Sequence, residues 1–450
     1  MSGQTQHTDQ LKRELGFTET FSVVVNRIIG SGIFRTPAAV MLVTGSLSIF
    51  YGAWIVGGIA TLLGALCYAE LVAMMPKSGG PYVFLKAAYP PYVTFLRGWA
   101  MFFVSETGAI AAVSLFFAET LINLLQLPQS NAFQAIISIL LVFVITFING
   151  FGIKLSGRLQ NVFSFAKIAV LLLVVAFSFS KGLVSGHFTN EGPSVWTWAG
   201  FISVFTALRY TFFAYSGWEG ATYIAEEVKN PQRNLPLSLF AGIGVVVILY
   251  LLMNTAYVNV LGAARLAGST VVAADAMEVS LGIAGTLLVG VAILMSTFGN
   301  VNTQVLVKSR TWFAMARDRL FFTGLAKVHP KYQTPNRAMI AQGLWAVVLI
   351  LFAVSAKNAY ETIIDFFSFV SSVFNVLTFL SLYILRKRHP EWPRPYKAWA
   401  YPFSLILVLA IQVTFMVVTL YTAFLPSLFG ILLTASGLLY YRYALPKDLT

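Results

Sequence analysis

About twelve apolar runs of roughly 20 residues, joined by short connections, constrain this chain more than any other feature. In hydrocarbon every backbone N–H and C=O needs a partner within the protein, so runs of this length are membrane-spanning helices. They lie at about 17–43, 47–75, 92–125, 131–153, 160–182, 199–228, 236–262, 282–310, 336–356, 361–386, 402–422 and 425–443. Of the 450 residues, 58% are hydrophobic and 10% charged, whereas a soluble domain carries about 25% charged residues. The fold class is therefore an all-α polytopic membrane protein. Residues 1–16 are polar and lack the apolar stretch of a signal peptide, so the first span is expected to stay in the mature protein.

A net charge of +13 invites a nucleic-acid reading, but its placement argues against one. With the N-terminus inside, inward connections hold Lys77, Lys86, Lys154, Arg158, Lys229, Arg233, Arg317, Arg319, Lys327 and Lys331. A further cluster, Arg386, Lys387, Arg388, Arg394 and Lys397, falls on the same side, while outward connections hold little beyond Lys181, Arg265 and Lys357. This is the positive-inside asymmetry, and it places both termini in the cytoplasm. One cysteine, Cys67, rules out an internal disulfide, and four scattered histidines form no metal-binding pattern. No metal or cofactor is expected, and with no nucleophile–base pairing in the chain no enzymatic activity is expected either.

Two of the runs are interrupted. Gly30-Ser31-Gly32 falls in the middle of the first, and Ser216-Gly217-Trp218-Glu219-Gly220 in the sixth. Glycine costs about 1 kcal/mol relative to alanine inside a helix. Backbone freed at that depth must face protein, a cavity or a solute. A small-residue packing seam is the alternative account of one such break, but paired breaks in two halves of a chain mark a secondary transporter's binding site. Spans 1 and 6 run in opposite directions, as an inverted five-plus-five repeat requires. The organisation is then a first repeat at 17–182, a second at 199–386, two further helices at 402–443 and a tail at 444–450. At the first break a new helix starts, and its N–H groups around Ser31, Gly32 and Ile33 suit a carboxylate. At the second a helix ends near Phe213-Ala214-Tyr215, and its carbonyls suit an ammonium group. Together the poles describe an α-amino acid zwitterion.

The motifs in order are Ile28-Ile29-Gly30-Ser31-Gly32-Ile33-Phe34, Gly64-Ala65-Leu66-Cys67-Tyr68-Ala69-Glu70-Leu71, Lys77-Ser78-Gly79-Gly80-Pro81-Tyr82, Phe213-Ala214-Tyr215-Ser216-Gly217-Trp218, Glu226-Glu227-Val228-Lys229-Asn230-Pro231 and Arg233-Asn234-Leu235-Pro236. In these the chain resembles the amino acid–polyamine–organocation superfamily, and within it the L-type amino acid transporter family, over spans 1 to 10. The resemblance implies a LeuT-type fold working by alternating access, with spans 1 and 6 rocking against spans 3, 4, 8 and 9. It implies substrate contacts from Ile28, Gly30, Ser31 and Gly32, with Phe213, Ala214 and Ser216 opposite, Phe213 as a lid and Trp218 below. It also implies that Lys154 reaches the carbonyls of the first break, in place of a sodium ion; the alternative is an ordinary lysine at a helix end.

Four further residues are candidates for coupling or gating. Glu219 is a carboxylate at mid-membrane depth, which is costly and usually functional. It either titrates, contacts a substrate side chain, or caps the half-helix that follows it. Arg27 is expected to pair with Glu106 or Glu219, because buried charges pair. Tyr215 has a position beside the second break. Arg35 and Arg209 are expected to snorkel, and Asn300, Asn302, Gln304 and Asp365 are candidates to line the cavity. The leading reading is sodium-independent exchange of neutral L-amino acids in a cytoplasmic membrane. The rivals are a proton-coupled amino acid or polyamine permease and a non-transporting sensor. The connection at 126–131 has no cysteine, so no disulfide-linked ancillary subunit is expected.

Overall fold

The two glycine-rich breaks divide two of the membrane rods. A computed structural model describes residues 11, 13–180, 182–189, 192, 196–355 and 359–444, with side chains for all of these except 153–156, 359–365 and 444. The first rod is split into α1 (Phe17–Ile28) and α2 (Gly32–Thr44). Unbroken α3 (Leu47–Met74) follows, then a short helix, α4 (Pro81–Ala88), in a connection that carries no apolar run. The third rod comprises α5 (Pro91–Ala100), a π-helical turn at Met101–Ser105, and α6 (Glu106–Leu124). Then come α7 (Asn131–Asn149) and α8 (Ile153–Phe179).

The sixth rod stops early. It comprises α9 (Trp198–Tyr215) and the four-residue α10 (Gly220–Tyr223). After it run α11 (Pro231–Ala267), kinked at Gly262 where φ is +67°, α12 (Val272–Leu281) and α13 (Ile283–Arg317). The last four are α14 (Asn336–Ala353), α15 (Ala359–Arg388), α16 (Phe403–Thr422) and α17 (Phe424–Ala444). Ten continuous rods among the described residues are long and apolar enough to cross a membrane. With the two interrupted ones they make the expected twelve, and the chain is a multi-pass membrane protein. The only β pairing among the described residues is an isolated bridge between Leu15 and Val228.

The interrupted rods lie at the centre of the bundle. α1 packs against α8, α11 and α13, α2 against α9, and α3 against α9 and α11. At one end a buried carboxylate, Glu70 of α3, receives Arg386 Nε at 2.9 Å, the Arg394 guanidinium at 3.3 Å and the Ala398 amide at 2.7 Å. A second buried carboxylate, Glu227, receives Arg310 of α13 at 2.8 and 3.3 Å. Glu226 beside it takes Arg317 at 3.3 Å and the Ser78 amide at 3.3 Å. These ion pairs and the Leu15–Val228 bridge tie the ends of α3, α10, α13 and the residues before α1 into one layer.

Candidate functional site

Helix α1 ends at Ile28 and Ile29 turns extended, so the last carbonyls of the helix lose their partners four residues on. The structure satisfies each of them. Val25 O accepts from the Ile29 amide at 2.8 Å. Asn26 O accepts from Lys167 Nζ at 3.1 Å and Asn300 Nδ2 at 3.0 Å, and Arg27 O from Asn300 Nδ2 at 2.8 Å. Ile28 O meets the Tyr250 hydroxyl at 3.2 Å. Ile29 O accepts from Lys167 Nζ at 2.7 Å and Ser296 Oγ at 3.2 Å. The Lys167 amine nitrogen, buried in α8, thus sits against the negative end of α1, where the helix dipole favours a donor or a cation.

Lys154 was the lysine expected at these carbonyls. The amine on the break carbonyls belongs to Lys167, thirteen residues further along α8 and so about 20 Å from its start at 1.5 Å per residue. The side chain of Lys154 lies outside the described residues. A lysine inside the fifth apolar run was itself the signal, since intramembrane charges are rare and functional.

The glycines of the breaks are where two backbones meet. A Cβ on Gly32 would lie 2.7 Å from Ala214 Cα, and one on Gly30 2.8 Å from Asn300 Nδ2. Beyond α9, Ser216 is extended and Gly217 has φ +93°, a conformation that glycine favours. A Cβ there would also lie 2.6 Å from Arg27 Cγ. The Tyr250 hydroxyl stands 3.2 Å from Ile28 O and 3.2 Å from Ala214 O, so one phenol bridges the ends of α1 and α9. In α2, Pro37 lacks the N–H that would bond Ile33 O, and the Tyr257 hydroxyl takes that carbonyl at 3.3 Å. Gly217→Ala is therefore expected to destabilise the fold by about 1–3 kcal/mol, from the left-handed backbone and the clash. Gly52→Ala, where a Cβ meets nothing within 4 Å, is the control; thermal unfolding in detergent should separate the two.

Between the breaks lies a cavity of about 160 Å³. Ile28, Gly30, Ser31 and Gly32 line one wall, and Phe213, Ser216, Gly217 and Trp218 the other. Trp218 packs edge-on against Tyr68, centroids 4.7 Å apart. Two expected site residues do not reach the cavity wall. Ala214 gives its backbone to the contact with Gly32, and Tyr215 is buried against Trp54 and Tyr250 at 5.7 and 5.2 Å. Asn302 is likewise turned away and accepts from Asn149 at 2.7 Å. Asn300 and Gln304 do line it, with Gln304 Nε2 donating to Asn300 Oδ1 at 2.6 Å. Asp365 lies outside the described side chains. Arg209 lines the cavity's other end, and Arg35 pairs with Glu119 at 3.3 Å where free snorkelling was expected.

A cluster of four charges borders the cavity. Arg27 meets Glu106 at 3.4 Å. Lys308 of α13, with no exposed surface, lies 2.8 Å from Glu106 and 3.3 Å from Glu219, with Tyr223's ring centroid 4.0 Å from its Nζ. Arg97, buried in α5, lines the same cavity, so cations outnumber the two carboxylates here. Lys308 was missed in the sequence, although it too is a lysine inside an apolar run. The π-helical turn that precedes Glu106 was also missed. There Trp345 Nε1 takes the Phe103 carbonyl at 3.1 Å and Thr107 Oγ1 the Phe102 carbonyl at 2.5 Å. Such turns recur at functional sites.

Comparison with known proteins agrees with this geometry. The chain is 32% identical over 450 residues to the serine/threonine exchanger SteT of Bacillus subtilis (strain 168), covering 98% of this chain and 99% of that protein. It is 30% identical to Asc-type amino acid transporter 1 of Mus musculus, covering 86% and 73%. It is 31% identical to the large neutral amino acids transporter small subunit 2 of Homo sapiens, covering 86% and 72%. A model of the amino acid permease family matches residues 15–438. The chain belongs to that family, within the amino acid–polyamine–organocation superfamily, and the family is one of transporters rather than enzymes.

Proposed function

We propose that this protein exchanges small neutral L-amino acids across a cytoplasmic membrane by alternating access. The observation that carries the reading is a cavity of about 160 Å³ bounded by two helix breaks. The first N–H groups of α2 have no partner within that helix and present a positive pole to a carboxylate. The last carbonyls of α9 present a negative pole to an ammonium group, each oxygen having two lone pairs. A cavity of about 150 Å³ holds a molecule the size of benzene, which suits an amino acid with a short side chain. The serine/threonine exchanger agrees with that size by its name, and the large neutral amino acids transporter is the relative that counterflow must set against it.

Two features support exchange over coupling to ions. Lys167 places its amine nitrogen on the break carbonyls, where a coupling metal cation would otherwise be held. Glu106 and Glu219 share Lys308, so each carboxylate has a fixed cationic partner within the protein. The chain is read as two inverted repeats, 17–182 and 199–386, with both termini in the cytoplasm, on the basis of its lysine and arginine distribution. It is read as acting without a disulfide-linked subunit, because its one cysteine, Cys67, is buried in α3.

Counterflow in proteoliposomes tests this. Uptake of labelled serine is expected only into vesicles preloaded with a neutral amino acid, and it is expected to ignore sodium and a pH gradient. Uptake into empty vesicles driven by an inward proton gradient would instead establish the proton-coupled permease, and binding without flux would establish a sensor.

A further inference from the structure

Away from the central cavity, a second hollow of about 360 Å³ opens between α7 and α14. Its floor is made by small side chains. A Cβ on Gly343 would lie 3.1 Å from Thr146 Oγ1, and Gly150 continues the strip toward the connection between α13 and α14. Its walls are apolar and outward-facing: Phe143, Phe147, Ile340 and Leu344 are all exposed. The hollow ends at Phe151 and Tyr332, whose rings meet edge-on with centroids 5.4 Å apart. From Asn336 to Val347 the wall on α14 is twelve residues, eleven rises of 1.5 Å or about 16 Å. That is about the depth of one leaflet, half of a roughly 30 Å hydrocarbon core.

A hollow of this shape on a lipid-facing surface is filled by hydrocarbon, since neither water nor a void is favourable there. Its charged surroundings say which lipid fills it. The segments that form it, 131–158 and 320–353, carry Lys154, Arg158, Lys327, Lys331 and Arg337 and contain no aspartate or glutamate. All five follow α7 or precede the body of α14, at the Tyr332 end. Lys331 Nζ sits 5.4 Å from the Tyr332 ring centroid, directly at the mouth.

We infer that the crevice between α7 and α14 is a binding site for an anionic glycerophospholipid, one acyl chain lying along Gly343 and Thr146 and the phosphate at Lys331 and Arg337. The chain fills the strip that two glycines leave open. The head group neutralises a mouth whose two segments, 131–158 and 320–353, carry no carboxylate in sequence, as basic pockets between membrane helices do for anionic lipids. The inference is independent of which solute the central cavity carries.

Native mass spectrometry of the purified full chain, titrated with dioleoylphosphatidylglycerol or dioleoylphosphatidylcholine, tests it. The anionic lipid is expected to be retained over the zwitterionic one. Lys331→Gln and Arg337→Gln are each expected to reduce that preference about five-fold. Leu344→Trp, an outward-facing position whose larger ring occupies the crevice, is expected to reduce retention of both lipids. Equal retention of the two lipids by the unaltered chain would overturn the inference, as would a preference that survives the paired Lys331→Gln, Arg337→Gln substitution. Should Leu344→Trp fail to fold, the charge variants alone decide.

Discussion

Replacing Glu227 by glutamine is expected to destabilise the protein by about 3–5 kcal/mol, because it strands the Arg310 guanidinium in the interior. Arg310 has no exposed surface and Glu227 about 1%, so no water is at hand to replace the lost carboxylate. The remaining acceptors for Arg310 are Leu306 O at 2.6 Å and Ser309 Oγ at 3.2 Å, both neutral and both on its own helix. The loss also reaches beyond one pair. Glu227's backbone carbonyl receives the amides of Glu14 and Leu15, so a shift of this turn loosens the residues before α1 as well. The single cysteine, Cys67, is fully buried in α3, so a thiol-reactive fluorophore reads unfolding directly. Removing both charges, as Glu227→Gln with Arg310→Met, should recover most of the loss, since a matched neutral pair leaves nothing stranded. A midpoint for Glu227→Gln equal to that of the unaltered protein would show that Arg310 finds solvent or another partner.

The second large effect is on transport rather than on stability. Lys167→Ala removes the cation that joins Asn26 O and Ile29 O, while Asn300 and Ser296 still hold those carbonyls. The fold should therefore survive. Lys167 makes two hydrogen bonds at the hinge of α1 and α2; at about 1.5–3 kcal/mol for a bond to a charged group, losing even one from the transport barrier corresponds to a fall in exchange of at least roughly ten- to a hundred-fold. Counterflow measured beside the unfolding midpoint separates the two roles. Lost exchange with a nearly unchanged midpoint places Lys167 in the transport cycle, whereas unchanged exchange would reduce it to a structural contact.

The parts of this architecture that were legible in the sequence are those that bilayer physics forces into the open. Apolar runs must be rods, and glycines in the middle of a rod must be breaks; hence twelve rods and the interruptions at Gly30–Gly32 and Ser216–Gly220 could be read directly. What was hidden depends on which face of a rod meets which neighbour. Lys154 and Lys167 lie on the same helix, and only packing shows that Lys167 faces α1. Lys308 likewise gains its meaning from Glu106 and Glu219 on two other rods. Met101–Ser105 is an apolar stretch whose composition carries no mark of a π turn. Helices α4 and α12 are short and sit in connections, where no long apolar run announces them.

The Tyr250 phenol has one proton and two carbonyls to serve, Ile28 O and Ala214 O, each 3.2 Å away. Pulling the first rod from the sixth would strip an acceptor bare in a dry interior, at a cost that neighbouring aromatic rings cannot offset. In the proposed cycle this shared phenol favours both severed rods travelling as joint passengers when the central cavity opens. What would then have to give are the contacts these rods make with the surrounding scaffold, among them that of Arg27 with Glu106.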